Sequence, residues 1–160
     1  RHLSISSENL HSGLWKKQMG SLLSYKTVGI IGFGKIGQKL AQLLAPFDVN
    51  FMIYDINQEE LSKIFCNEKN MQFTTLDNVI SKSDIISFHA NTNTVLLGQK
   101  ELEKIKKEVV IVNVSRGEVI SEKDIIHYLK SGIIHTQEKM HASQQCGKKN
   151  IKIRMVIILF

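Results

Sequence analysis

Short apolar runs alternate with amphipathic stretches from Thr27 to about Gly132, and this alternation sets the order of elements. Thr27-Val28-Gly29-Ile30-Ile31 is a continuous, β-branched run of the kind buried on both faces of a parallel sheet. After a glycine turn, Ile36, Leu40, Leu43 and Leu44 recur at i, i+4, i+7 and i+8, which predicts a helix that stops before Pro46. Asn50 to Tyr54 predicts a second strand, ending at Asp55. Beyond it the spacing predicts helix over 59–65, a short helix after Thr75 as its cap, strand over 84–89, and a short helix around Leu102 and Ile105. The clearest strand, 109–114, follows. Ser121 with Asp124 then resembles a capping box, opening a helix that runs to a glycine stop at Gly132.

Strands alternating with helices predict an α/β domain with a doubly wound parallel sheet, whose ligands sit outside the carboxyl ends of the strands. The periodic region defines a domain over 23–134, after an N-terminal segment 1–22. A tail follows over 135–160; from 135 to 154 no period is sustained and the composition shifts toward Gln, Lys and His, so this stretch has no predicted place in the sheet. Its apolar end, Met155 to Phe160, is either an aggregation-prone terminus or a strand patching a sheet edge.

Composition narrows the class. At 160 residues, 42% hydrophobic and 22% charged, the chain has the make-up of one soluble globular domain and not of a disordered or collagenous one. The formal charge of +6 is unevenly placed: residues 133–160 hold five basic groups against Glu138 alone, leaving only +2 for the rest. That argues against a broad nucleic-acid face and for a solvated basic tail. Cys66 and Cys146 lie far apart with no zinc spacing, so neither a metal site nor a disulfide framework is expected, and a reducing cytoplasmic setting fits. No leader pattern opens the chain, and the Met155–Phe160 run is too short to span a bilayer, so no membrane partner is expected. An opening on Arg1 points to a processed or partial product.

Chemistry concentrates in Gly32-Phe33-Gly34-Lys35-Ile36-Gly37, a GxGxxG placed between a buried strand and a helix. In that context Gly32 makes the tight turn, Gly34 admits a pyrophosphate to the backbone, and Gly37 lets the helix lie close to the strand. The amides of Lys35 and Ile36 face the phosphates at the positive end of the helix. Asp55, 18 residues after Gly37, stands where a carboxylate accepts hydrogen bonds from the adenosine ribose and repels a 2′-phosphate, which favours NAD over NADP. Two other readings stay open at this point: Asp55 as an ordinary turn residue, and the whole constellation as another nucleotide or S-adenosylmethionine fold.

Five motifs in order, Gly13-Leu14-Trp15, Lys26 to Gly37, Tyr54-Asp55, Ser83 to His89, and Val112-Asn113-Val114-Ser115-Arg116-Gly117, resemble the cofactor domain of the D-isomer-specific 2-hydroxyacid dehydrogenases. The resemblance covers roughly Gly13 to Ile134. It implies a Rossmann-type fold, a single cofactor domain without its substrate domain, and NAD as cofactor. It also implies that Arg116 grips the carboxylate of a 2-hydroxy or 2-oxo acid, and that His89, Val114 and Ser115 lie near the cofactor. A homodimer is a further expectation. Read without the family, Arg116 also suits a phosphate contact or a surface ion pair, and His89 a bond to neighbouring backbone.

The chain departs from the family in two places. His89-Ala90-Asn91-Thr92-Asn93 stands where the family has His-x-Pro-x-Thr. After Gly132 the family continues into a sixth strand ending in a cofactor-contacting Asp, then supplies a Glu and a His as acid/base pair, and here no Asp follows Asp124. His135 and His141 flank Glu138 too closely to copy that separation, so neither is assigned. Oxidising a hydroxy acid needs a base, and a guanidinium stays protonated. The resemblance therefore implies an oxidoreductase domain that binds cofactor but scarcely turns over by itself, through truncation or a frame shift near Ile134. The alternative is a non-catalytic NAD-binding module, or remnant, of corepressor-like type.

Overall fold

The computed structural model describes residues 3–15, 21–106, 108–130, 134–135, 151–152 and 154–157. Six strands form one parallel sheet: β1 (Thr27–Ile31), β2 (Asn50–Tyr54), β3 (Met71–Phe73), β4 (Ile85–Phe88), β5 (Val110–Asn113) and β8 (Arg154–Ile157), in the order β3-β2-β1-β4-β5-β8. The order reverses between β1 and β4, the switch point at which doubly wound folds open a crevice. A separate pair, β6 (Ile134–His135) and β7 (Ile151–Lys152), is also parallel.

Alternate residues of the strands go to opposite faces, which is why the apolar runs are continuous. Val28, Ile30, Phe51 and Ile53 join Phe33 and Ala41 on the face covered by α2 (Lys35–Leu44) and approached by Leu61 of α3 (Gln58–Ile64). Ile31, Met52, Ile86 and Phe88 join Val79, Ile80, Leu102 and Ile125 on the other, covered by α4 (Leu76–Lys82), α5 (Gln99–Leu102) and α6 (Glu122–Lys130). Gly29 is what lets α4 come this close: a Cβ there would lie 2.5 Å from Ser83 Oγ and 2.7 Å from Val79 Cγ1.

The predicted elements are present with small shifts at their ends. The helix after the glycine turn ends at Leu44, and Pro46 sits in a short 3-10 turn, Ala45–Phe47. Thr75 caps α4 through Oγ1, which accepts from the Asn78 amide at 3.4 Å. Ser121 does the same for α6 toward Asp124, while the expected Gly132 stop lies outside the described residues. The elements that went unpredicted are α1 (Leu3–His11), the edge strand β3, the 3-10 turns over Ala45–Phe47 and Gly117–Val119, and the pair β6 and β7. One expectation is corrected. The stretch through Arg154 was given no place in the sheet and the apolar end only an alternative one, yet β8 pairs in register with β5, Val110 opposite Arg154 and Asn113 opposite Ile157, so the edge-patching alternative holds. Pairing gives the backbone of β5 a partner on its open side, which the apolar run Val110-Ile111-Val112 would otherwise leave as a bare edge.

Candidate functional site: a glycine cradle beside the sheet crossover

The site forms where β1 ends. Gly32 leaves the strand at φ +93°, a left-handed conformation that favours glycine, and its N–H donates to Tyr54 O at 2.8 Å, tying the turn to the end of β2. A Cβ on Gly32 would meet the Ala90 nitrogen at 2.5 Å, so the turn also lies flat against the loop after β4. Gly34 is different. It precedes α2 in extended conformation, and a Cβ there would have no heavy atom within 4 Å. Gly34 thus has open space beside it at the N-cap of α2. Gly37 is buried in the first turn of α2, and its Cβ would fall 2.5 Å from Gly32 O.

No side chain caps α2. Its first-turn amides, those of Lys35 and Ile36 among them, therefore remain available to an anion at the positive helix end. The side chains of Lys35 and Ile36 are exposed, so these residues serve the site through their backbone. Gln38 holds the cradle from within, its Nε2 donating to Phe33 O at 3.0 Å.

Asp55 follows β2 at the cradle's edge. Its Oδ2 accepts from the Phe33 amide at 2.6 Å and its Oδ1 from the Asn57 amide at 2.9 Å. The open reading of Asp55 as a simple turn residue thus captures only the Asn57 bond. The Phe33 bond links the carboxylate to the glycine loop itself, and a carboxylate with two bonds keeps lone pairs for further donors.

On the far side of the crossover, His89 follows β4. Its backbone N–H donates to Ile31 O at 2.8 Å, while its ring Nε2 shares a 2.9 Å hydrogen bond with Ser87 Oγ, a side chain and not the neighbouring backbone. Its Nδ1 is buried without a hydrogen-bond partner, while its backbone carbonyl carbon lies against the Gly32 turn. Burial holds the His89 pKa below 6.5. The unfolded chain therefore binds more protons than the folded one just below that value, and stability falls as the pH drops through it. We expect chemical denaturation between about pH 7 and pH 5.5 to show this loss, and His89→Gln to remove part of it. An unchanged pH slope in the variant would refute the assignment.

At the end of β5 the chain turns through Asn113, Val114, Ser115 and Arg116. Asn113 is 2% exposed and its side-chain amide makes three hydrogen bonds: Oδ1 accepts from Ser115 N at 3.0 Å and Ser115 Oγ at 2.8 Å, and Nδ2 donates to Arg116 O at 2.9 Å. Val114 and Ser115 are half-buried, with the Val114 N–H donating to Phe88 O. Arg116 is exposed, and its Nη1 donates to Asn93 Oδ1 at 2.9 Å. The sequence pointed to Arg116 and Ser115 but missed Asn113, Asn93 and Ser87. Asn113 alone left a trace, as the polar residue ending an apolar strand.

Gly32, Gly34, Gly37 and Asp55 are thus brought together at one end of β1 and β2, with His89 against them. Arg116 is set apart, at the carboxyl end of β5 on the same side of the sheet. Two other regions stand away from this site. Asp84 lies at the opposite end of the strands, accepting from the Thr27 N–H at 2.8 Å and from Lys106 Nζ at 3.1 Å, and a shallow cavity of about 240 Å³ is lined by Thr27, Lys69 and Gln72. Among the described residues no cluster of His, Cys, Asp or Glu could hold a metal ion, and no helix is long and apolar enough to cross a membrane.

A parallel sheet of this order with a glycine turn feeding a helix and an acid after the second strand defines a Rossmann-type dinucleotide-binding domain. The family described as D-isomer specific 2-hydroxyacid dehydrogenase, NAD binding domain, matches residues 1–137, and the chain belongs to it. Among curated relatives, a glyoxylate reductase of Thermofilum pendens is 32% identical over 144 residues, which cover 84% of this chain and 42% of the relative. A D-lactate dehydrogenase of Lactobacillus delbrueckii subsp. bulgaricus is 34% identical over 128 residues, covering 78% and 37%. Among solved structures, the NAD complex of an NAD-dependent formate dehydrogenase from Staphylococcus aureus matches with TM-score 0.66 and 32% identity, over 82% of this chain and 40% of that one. A glyoxylate reductase from Paecilomyes thermophila matches with TM-score 0.68 and 26% identity over 98% and 43%. The chain thus spans well under half the length of these relatives.

Proposed function

We propose that this chain binds NAD at the glycine cradle and supplies the cofactor-binding part of an oxidoreductase acting on the CH–OH group of a D-2-hydroxy acid. The observation that carries this reading is the shared hydrogen bond between Asp55 and the Phe33 amide, which sets a ribose-binding carboxylate and a diphosphate-binding loop as one unit. The groups present fit the cofactor: open space over Gly34, uncapped amides at α2, and the orphan Nδ1 of His89. When bound, NAD accepts a hydride from the carbon that carries the substrate hydroxyl.

In this reading the amides of Lys35 and Ile36 hold the diphosphate, and Asp55 holds the adenosine ribose and repels a 2′-phosphate. Val114, Ser115 and His89 border the nicotinamide half. Arg116 grips the carboxylate of the 2-hydroxy or 2-oxo acid in the complete protein, where a planar fork suits it. Residues 23–134 form the cofactor domain, after the 1–22 segment and before the 135–160 tail. Association as a homodimer and a cytoplasmic setting belong to the same proposal.

Calorimetric titration of the purified chain tests it. NAD should bind more tightly than NADP, and Asp55→Ala should weaken NAD by about tenfold while narrowing the gap, since each lost charge-assisted bond is worth about 1.5–3 kcal/mol. Equal affinities in the parent chain would refute the role of Asp55. Failure of the complete protein to turn over pyruvate, glyoxylate or hydroxypyruvate with NADH, while it still binds NAD, would favour a non-catalytic module instead.

A further inference from the structure

We infer that Asn93 is the positioning residue for Arg116, a neutral latch that aims the guanidinium without neutralising it. The inference rests on the reading of Arg116 as the carboxylate grip, and it concerns how that grip is made ready. Arg116 is held at both ends. Its backbone is knotted to the end of β5 by the buried amide of Asn113, and its side chain reaches across to the loop after β4, where Asn93 Oδ1 accepts from Nη1 at 2.9 Å. The latch therefore spans two neighbouring strands of the sheet, on the side where the glycine cradle opens.

The chemistry of the latch residue decides what it leaves free. An exposed arginine on a long stem loses rotamer freedom when it binds, and fixing it beforehand lowers that cost. A carboxylate at position 93 would also fix it, but would consume its charge. An amide oxygen takes one N–H of Nη1 and leaves the Nε–Nη2 edge of the fork for a bidentate carboxylate. Consistent with this, Arg116 joins no ion pair among the described residues. The loop carrying Asn93 is itself braced, with Thr94 N–H donating to Thr92 Oγ1 at 3.1 Å. This is the segment in which the chain departs from the family's His-x-Pro-x-Thr, so the latch is a property of these residues.

The test uses the complete protein, with Arg116 Nε–Hε relaxation by NMR as one readout and titration with oxamate, an unreactive analogue of a 2-oxo acid, in the presence of saturating NADH as the other. In the parent, the Arg116 Nε–Hε vector should be ordered on the picosecond to nanosecond scale. Asn93→Ala should release it and weaken oxamate. Asn93→Asp should keep it ordered yet weaken oxamate by about tenfold, because the charge is then paired. A merely structural role for Asn93 would leave the relaxation unmoved in Asn93→Ala, or let Asn93→Asp bind oxamate as the parent does, and either result overturns the inference. Should the parent bind no oxamate while its Arg116 order still depends on Asn93, the latch stands and the carboxylate reading of Arg116 falls.

Discussion

Gly34→Val is expected to abolish measurable NAD binding, by about a hundredfold or more, while leaving the unfolding midpoint of the free chain where it was. Gly34 adopts a backbone conformation open to any residue, and an added Cβ meets no heavy atom within 4 Å, so the free protein has no reason to resist the change. The added groups would instead occupy the open space at the uncapped start of α2, where the proposed diphosphate sits. Losing two or more charge-assisted bonds at about 1.5–3 kcal/mol each accounts for the size of the effect. Denaturant titration beside NAD titration separates the two quantities. A variant that still binds NAD as the parent does would place the diphosphate elsewhere, and one that unfolds early would show that the space over Gly34 is not free.

Gly37→Ala is expected to do the reverse, costing stability first and binding as a consequence. The new Cβ would lie 2.5 Å from Gly32 O, a backbone oxygen that cannot swing away, and 3.2 Å from Ile30 Cγ2. Relief requires α2 to lift from β1, and overpacking of this kind costs about 1–3 kcal/mol. Because, in the proposed reading, the same helix end presents the amides to the cofactor, NAD affinity should fall with it. A midpoint unchanged in urea would mean that the helix tolerates the shift and that the close approach is not a constraint.

Most of the fold was legible because its signals are local. A buried strand, a glycine turn and an amphipathic helix from Thr27 to Leu44 are each specified within a few residues, and the structure places their ends at those residues. Strand β3 was not legible, since three residues with Met71 and Phe73 turned in and Gln72 out carry too short a pattern, and its pairing with β2 is decided across the sheet. Strand β8 was legible only as one of two alternatives, because its partner Val110–Asn113 lies some forty residues earlier. At the site, glycine spacing and the acid after β2 identified the cradle, because a close approach demands particular residue types at fixed offsets. What the sequence hid is which groups orient which. Asn93 is an exposed loop residue with no pattern of its own, and only the chain's path from β4 brings it to Arg116. Asp55 was legible as an acid in the right place, but its bond to the Phe33 amide, which makes acid and loop one unit, is a matter of geometry.

The central claim is that one diphosphate-ribose unit lies between the start of α2 and Asp55. Backbone amide NMR during titration with NAD addresses it residue by residue. The largest saturable shifts are predicted at Phe33, Gly34, Lys35 and Ile36, with Asp55, Asn57 and the His89-Ala90 segment moving on the same binding curve. Saturable shifts confined to the opposite end of the strands, around Thr27, Asp84 and Lys69, would contradict it.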